Sequence, residues 1–406
     1  MNILVLSDKL HPTPNANGIC LINIIREMER LGHTIWNVDR VESPDMEKRN
    51  ERNICFFSEL ILSWIACTSM KDRFVYIIKR LFGFFSYPRY DRSIVKRYVK
   101  ECLSFKEINK IDIIICICNP IETVEAALTI KKIYPSKKVI IYNLDTVSGI
   151  PLPKLEKKFE KYFKSKAYRW ETRTFSFADL IVNLKCHKKH FTSEKYKFIS
   201  DKLLFQDVPL LIKQSKKISV CQKDNTNIQL IYAGAFYKQL REPNVLLSLF
   251  EHILIEDNND YSLLILTSSG YCREIASMTK CSRICTHEYI SGDAFDEIMA
   301  NSDILVSLGN KDSIMFPSKI VSYIALGKPI IHLYQDEKDS VIEYLANYPD
   351  KLLVDYRNGV NINKRLIMDY LHQSHSSIDM NKLYELYRES TPDFNASQIL
   401  KRLEGC

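Results

Sequence analysis

Apolar residues along this chain fall into short runs separated by longer amphipathic stretches. Residues 1–8, MNILVLSD, are rich in Ile, Leu and Val, which predicts a strand buried on both faces. A loop rich in Pro and Asn follows at 11–17, and Gly18 is then expected to open a helix. The apolar face of that helix is Ile22, Ile25 and Met28, and it should end near Gly32. Residues 33–39 read as the second strand. The pattern continues with a strand at 111–117 (IDIIICI), a helix at 122–134 and a strand at 138–144. Short strands are expected at 179–183 and 202–205. The run at 54–68 contains Glu59 and is too short to span a bilayer, so it predicts a core or partly interfacial helix.

Residues 213–227, KQSKKISVCQKDNTN, are polar and charged and read as a linker. Beyond them the alternation restarts, with strands near 228–232, 261–267, 303–308 and 329–333 and helices between. One or two helices are expected over 380–406. Strands alternating with helices imply an α/β fold with parallel sheets. A chain of 406 residues is too long for one ordinary core and suits two domains of about 200 residues each.

Three segments of the second half carry the chemistry. Residues 228–243 read IQLIYAGAFYKQLREP: a buried strand, a small-residue turn at Ala233-Gly234-Ala235, then Lys238 and Arg241. Residues 302–310, SDILVSLGN, form a strand ending in Gly309-Asn310. Residues 315–331, MFPSKIVSYIALGKPII, read as a loop, a short helix N-capped by Ser318, a glycine stop at Gly327 and a new strand. A helix start beside Lys319 suits an anion. Open α/β sheets bind ligands at the carboxyl ends of such strands.

In this order the segments resemble the nucleotide-sugar half of GT-B glycosyltransferases, and glycosyltransferase family 4 with its capsule- and lipopolysaccharide-building relatives in particular. The resemblance covers most of the chain in domain order, with its sharp motifs in the second half. It implies two facing Rossmann-like domains, with C-terminal helices crossing back to the first. Residues 1–212 would bind the acceptor, 213–227 would link, 228–385 would bind the nucleotide sugar, and 386–406 would pack on the first domain. A donor diphosphate would meet Lys238 and Arg241 with the amides around Gly234 and Ser318. Phe236, Asn310, Phe316, Pro317, Lys319 and Ser322 complete the expected donor set. Asn17 and Gly18 are expected at the acceptor. Asp145, at a strand end, and His11, in the first loop, are the catalytic candidates, with Asp8 beside them.

The sequence also departs from this family. Many members carry a glutamate pair across the short helix, whereas no glutamate lies between Met315 and Pro329, and Ser322 stands three residues after Lys319. Members often place a histidine after the strand matching 111–117, where this chain has Cys118-Asn119-Pro120. The resemblance implies a retaining hexosyl transfer from a nucleotide sugar to a glycan or lipid-linked acceptor in cell-surface polysaccharide synthesis. The departures allow a catalytically silent partner of a glycan-assembly complex. A nucleotide-sugar epimerase of the same fold is disfavoured, because no carboxylate-rich active site is evident. No D-x-D motif ends a strand, so neither a metal nor any cofactor is expected.

Charge adds a surface. The net charge is +8, and residues 1–210 hold 36 Lys/Arg against 24 Asp/Glu while the remainder holds 21 against 25. The surplus belongs to the first half and calls for an anionic partner. Residues 71–110 carry eleven Lys/Arg against four Asp/Glu and include RFVYIIKRLFGFFSYPRY; residues 154–173 carry eight against three. Cations flanking an apolar helical face suit an anionic membrane surface, so the chain is expected to be cytoplasmic and peripheral on the inner face. Core packing of the same face is the structural alternative. Nucleic acid is not expected, since no recognition motif is present. The 12 cysteines are scattered through apolar runs, MNILVLSDK passes straight into charge without a secretory pattern, and Cys116-Ile117-Cys118 lacks metal-pair spacing. Free thiols in a reducing compartment are the expectation.

Overall fold

The computed structural model describes residues 1–10, 16–58, 70, 74, 87–149, 152, 157–212, 227–237, 240–256, 261–288, 290, 292–311 and 316–404. They form two compact units, Met1–Pro209 with Pro392–Cys406, and Leu210–Thr391. The chain thus leaves the first unit just ahead of the 213–227 segment, and it returns at Pro392 where the sequence suggested 386.

The first unit is an eight-stranded sheet in the order β3-β4-β2-β1-β5-β6-β7-β8. The strands are β1 (Asn2–Asp8), β2 (Thr34–Val41), β3 (Lys48–Arg49), β4 (Asn53–Phe57), β5 (Ile113–Ile117), β6 (Lys138–Asn143), β7 (Leu180–Leu184) and β8 (Leu203–Gln206). All pairs are parallel except β3 with β4. Its helices are α1 (Ala16–Arg30), α2 (Arg92–Leu103), α3 (Ile121–Ile133), α4 (Glu160–Phe177) and α5 (Lys188–Phe191). Crossover helices cover both faces of the sheet, which is why β5 reads IIICI and every residue of it is buried. One face packs Leu4, Leu6, Val38, Ile54 and Phe56 against Tyr98 of α2 and Val124 of α3. Helix α1 begins at Ala16, so Gly18 lies inside its first turn and is not its start.

Residues 53–57 overturn one expectation. The apolar run that read as a helix from Ile54 opens instead as β4, paired in register with β2 from Asn37↔Asn53 to Val41↔Phe57. Residues 59–68 of that run lie outside the described residues.

The second unit is a six-stranded, wholly parallel sheet in the order β11-β10-β9-β12-β13-β14. Its strands are β9 (Ile228–Ala233), β10 (Tyr261–Thr267), β11 (Ile284–Glu288), β12 (Ile304–Leu308), β13 (Ile330–Tyr334) and β14 (Lys351–Asp355). Helices α6 (Pro243–Glu256), α7 (Ser269–Met278), α8 (Asp293–Asn301), α9 (Lys319–Ile324) and α10 (Ser340–Tyr344) lie between them, and α11 (Val360–Leu371) and α12 (Met380–Leu386) follow β14. The last helix, α13 (Pro392–Glu404), belongs to the first unit and packs on α1. There Gln206 Nε2 donates to the carbonyl of Asn395 at 2.9 Å, and Lys138 Nζ to that of Leu403 at 2.9 Å. Each unit is a Rossmann-like α/β domain. The winding reverses between β1 and β5 in the first and between β9 and β12 in the second, the kind of point at which open α/β sheets bind ligands.

Candidate functional site

At the second unit's edge, β9 ends at Ala233 and the chain turns at Gly234. A Cβ there would stand 2.8 Å from the Tyr232 hydroxyl, so the close approach of that ring demands glycine. Tyr232 stacks on Phe236 at 4.9 Å between centroids, which buries Phe236 under the loop. Tyr237 and Arg241 close the loop with a pair of backbone hydrogen bonds, both 2.8 Å. Arg241 then reaches across to the loop after β12: its Nε and Nη2 donate to Asn310 Oδ1 at 3.1 and 2.7 Å. A backbone bond from Lys311 N to the carbonyl of Leu240, 3.0 Å, ties the two loops a second time.

Helix α9 is docked by the Tyr323 hydroxyl, which accepts from Ala233 N at 2.8 Å. This brings Lys319 to the same edge. Burial, and then the positive charge of Arg241, push the Lys319 pKa down to about 8. Its ammonium lies 5.7 Å from the centroid of Phe295. Phe316 packs edge-on against Tyr344 at 5.0 Å, and Ser322 is exposed one turn beyond Lys319. Two expectations change here. Ser318 already has helical angles (φ −54°, ψ −22°) and its hydroxyl caps nothing; α9 is six residues long. Attraction for an anion at this edge therefore rests on the Arg241 and Lys319 side chains, not on the peptide dipoles of α9. Gly327, at φ +64°, ends the helix as anticipated. Lys238 lies outside the described residues.

Beneath the Asn310 loop sits a buried polar group that local sequence did not reveal. His332 of β13 is fully buried and contacts Ser307 Oγ (3.2 Å) and Asp339 Oδ2 (3.3 Å). The register pairing Ser307 with His332 puts both on one face of the sheet. Asp339 caps α10, its Oδ1 accepting from Val341 N at 2.9 Å. Its other oxygen fills the space where a Gly309 side chain would be.

At the first unit's edge, Asp145 follows β6 and accepts from Asn17 Nδ2 at 3.3 Å. Cys20 and Cys186 lie near enough that, after burial, the Asp145 charge helps raise both thiols to about 12, so neither is a nucleophile at neutral pH. Gly18 is buried in α1. Asp8 is committed elsewhere: its carboxylate receives Arg40 Nε at 2.5 Å, and burial still raises its pKa. His11 lies outside the described residues.

Three residues onward from Asp145, Ser148 meets a second cluster missing from the sequence expectations. Ser148 N and Oγ donate to Glu171 of α4 at 2.9 and 2.6 Å, and Oγ lies 3.0 Å from His190 Nε2 and 3.1 Å from the Tyr196 hydroxyl. Tyr196 also donates to Glu171. Burial raises the Glu171 pKa against these donors, and burial with nearby positive charge lowers His190 to about 4. The imidazole is therefore neutral, and the cluster fastens the 145–149 loop to α4 and to the segment after α5. No cluster of His, Cys, Asp and Glu among the described residues could hold a metal ion.

No family model matches the chain, and no curated protein matches it. Solved structures do match along its length. The N-terminal domain of Candida albicans trehalose-6-phosphate phosphatase is 13% identical, covers 99% of this chain and 96% of its own, and gives a TM-score of 0.62. Neisseria meningitidis UDP-GlcNAc 2-epimerase bound to UDP-GlcNAc is 13% identical over 100% of both chains, with a TM-score of 0.53. The lipopolysaccharide outer-core galactosyltransferase WaaB is 12% identical over 100% and 99%, also with a TM-score of 0.53. At such identities the likeness establishes the fold, and that fold is GT-B-like: two Rossmann-like domains in one chain.

Proposed function

We propose that the protein is a glycosyltransferase that takes a sugar from a nucleoside diphosphate donor held on the second unit. The observation that carries this reading is the joining of Arg241 and Lys319 at the β9–β12 reversal, on loops fixed by Asn310 and Tyr323. A diphosphate leaving group gains negative charge as the glycosidic bond breaks, and fixed cations stabilise that charge. Lys238, Gly234, Phe236, Phe316, Pro317, Ser318 and Ser322 complete the proposed donor site. On the first unit, Asp145 is the proposed catalytic carboxylate and His11 its alternative, with Asn17 and Gly18 toward the acceptor; the Asn17–Asp145 contact supports this grouping. A hexose, a lipid-linked glycan acceptor, retention of configuration and a role in surface polysaccharide synthesis are the finer parts of the proposal, and they rest on the sequence resemblance. We place the protein on the inner face of the membrane through residues 71–110, supported by an exposed stripe of Arg92, Lys96 and Lys100 on α2.

Thermal shift with UDP, GDP, ADP and CDP tests the donor site, and at least one nucleotide should stabilise the protein. Arg241→Ala should weaken that nucleotide by about 10- to 150-fold, because a charge-assisted hydrogen bond contributes about 1.5–3 kcal/mol. No shift with any nucleotide, or full affinity in the variant, refutes the reading. The missing glutamates between Met315 and Pro329 favour a second reading, a binding-competent but silent partner. Nucleotide released from a sugar nucleotide in the presence of membrane extract separates the two, and conversion of the donor sugar without transfer would mark an epimerase.

A further inference from the structure

A cavity of about 950 Å³ lies in the first unit, over the face of β2 and β4 beside α1. None of the proposed donor residues lines it, and its walls come from strand faces and a helix flank. One wall is apolar: Ile22 and Ile25 of α1 opposite Ile35 of β2. The rim is cationic, with Arg26 from α1 and Lys48 and Arg52 from the segments around β3. All three are exposed, and none forms an ion pair among the described residues. Glu29 is the one acidic residue in the lining, which leaves the cavity at +2.

Asn37 is 4% exposed and lines the floor; its amide meets Ser7 Oγ at 3.0 Å, and the Ser7 hydroxyl in turn donates to Asp39 Oδ1 at 2.9 Å. An apolar wall and a cationic rim describe a ligand with a hydrocarbon body and an anionic head. The charge selects among such heads. A phosphate monoester carries about −1.5 to −2 at neutral pH and matches the +2 of the lining, whereas a carboxylate carries −1. Guanidinium groups also fit phosphate oxygens in a bidentate manner.

We propose that this cavity binds an amphiphilic phosphate monoester, its apolar chain along Ile22, Ile25 and Ile35 and its phosphate at Arg26, Lys48 and Arg52. The cavity volume falls within the range of small-molecule sites. The proposal does not depend on the donor reading.

Calorimetric titration of the full-length protein with decyl phosphate, kept below its micelle concentration, tests the site. One equivalent should bind, at least tenfold more tightly than decanol, decanoate or inorganic phosphate. Arg26→Ala combined with Arg52→Ala should weaken decyl phosphate at least tenfold; both side chains are exposed, so the fold should persist by circular dichroism. Ile22→Trp, which fills the apolar end, should abolish binding while leaving nucleotide-induced thermal shifts unchanged. Absence of binding, equal affinity for decanol, full affinity in the double variant, or displacement of decyl phosphate by a nucleotide would each overturn the proposal.

Discussion

Replacing Gly309 with alanine would place a Cβ 1.9 Å from Asp339 Oδ2, 3.1 Å from its Cγ and 3.3 Å from the carbonyl of Leu333. Asp339 is 4% exposed and cannot swing into water without giving up both of its contacts. One is the cap on α10, Oδ1 with Val341 N at 2.9 Å; losing a cap costs about 1 kcal/mol. The other is the buried imidazole of His332, at 3.3 Å; leaving a buried polar group unpaired costs about 1–3 kcal/mol. If the backbone moves instead, the bond from Gly309 N to the carbonyl of Leu333, 2.8 Å, breaks at a similar cost. Together these give about 2–4 kcal/mol, a fall in Tm on the order of 5–15 °C for a domain of this size. Differential scanning calorimetry reads it directly. A double-mutant cycle identifies the cause: Asp339→Ala removes the obstructing carboxylate, so adding Gly309→Ala to it should cost little more. A Tm within 2 °C of wild type in the single variant, or full additivity in the pair, would refute the steric argument. The same variant should lose nucleotide affinity, because Asn310 follows Gly309 directly and holds Arg241.

The Lys319 pKa is lowered to about 8 by burial and Arg241, so the folded state penalises its charge below pH 8, and that penalty fades as pH rises from 8 toward the unfolded value near 10.5. Nucleotide binding follows the opposite course: affinity should fall about tenfold between pH 7 and pH 9 as the ammonium is lost, and Lys319→Met should flatten that profile. Liposome sedimentation should show binding to anionic but not zwitterionic vesicles, weakened by salt and by joint replacement of Arg92, Lys96 and Lys100 with Ala; binding indifferent to lipid charge would refute the membrane placement.

How much of this was legible in the sequence depends on how far apart the cooperating residues lie. Strands such as β5 and β12, five buried residues each, announce themselves because a sheet covered on both faces needs an unbroken apolar run. Residues 53–57 defeated the same logic: a five-residue strand followed by more apolar chain reads like a buried helix, and only pairing with β2 distinguishes them. Strand β11 gave no clear signal because it is an edge strand with mostly unburied residues. The placement of Gly234, Arg241 and Asn310 in loops after strands, and of Lys319 in the first turn of a short helix, was readable because short-range pattern and position coincide there. What no local pattern could give is their coupling, since Arg241 and Asn310 are 69 residues apart. The same holds for His332, which acquires its role only through the register that sets it beside Ser307 and through a helix cap seven residues on. Glu171, His190, Tyr196 and Ser148 come from four separate segments, and each alone reads as an ordinary surface or loop residue. The fold is therefore written in periodicities that survive inspection of one window at a time, whereas the sites are written in pairings between windows. The residues most worth mutating are those whose partners the pairing supplies.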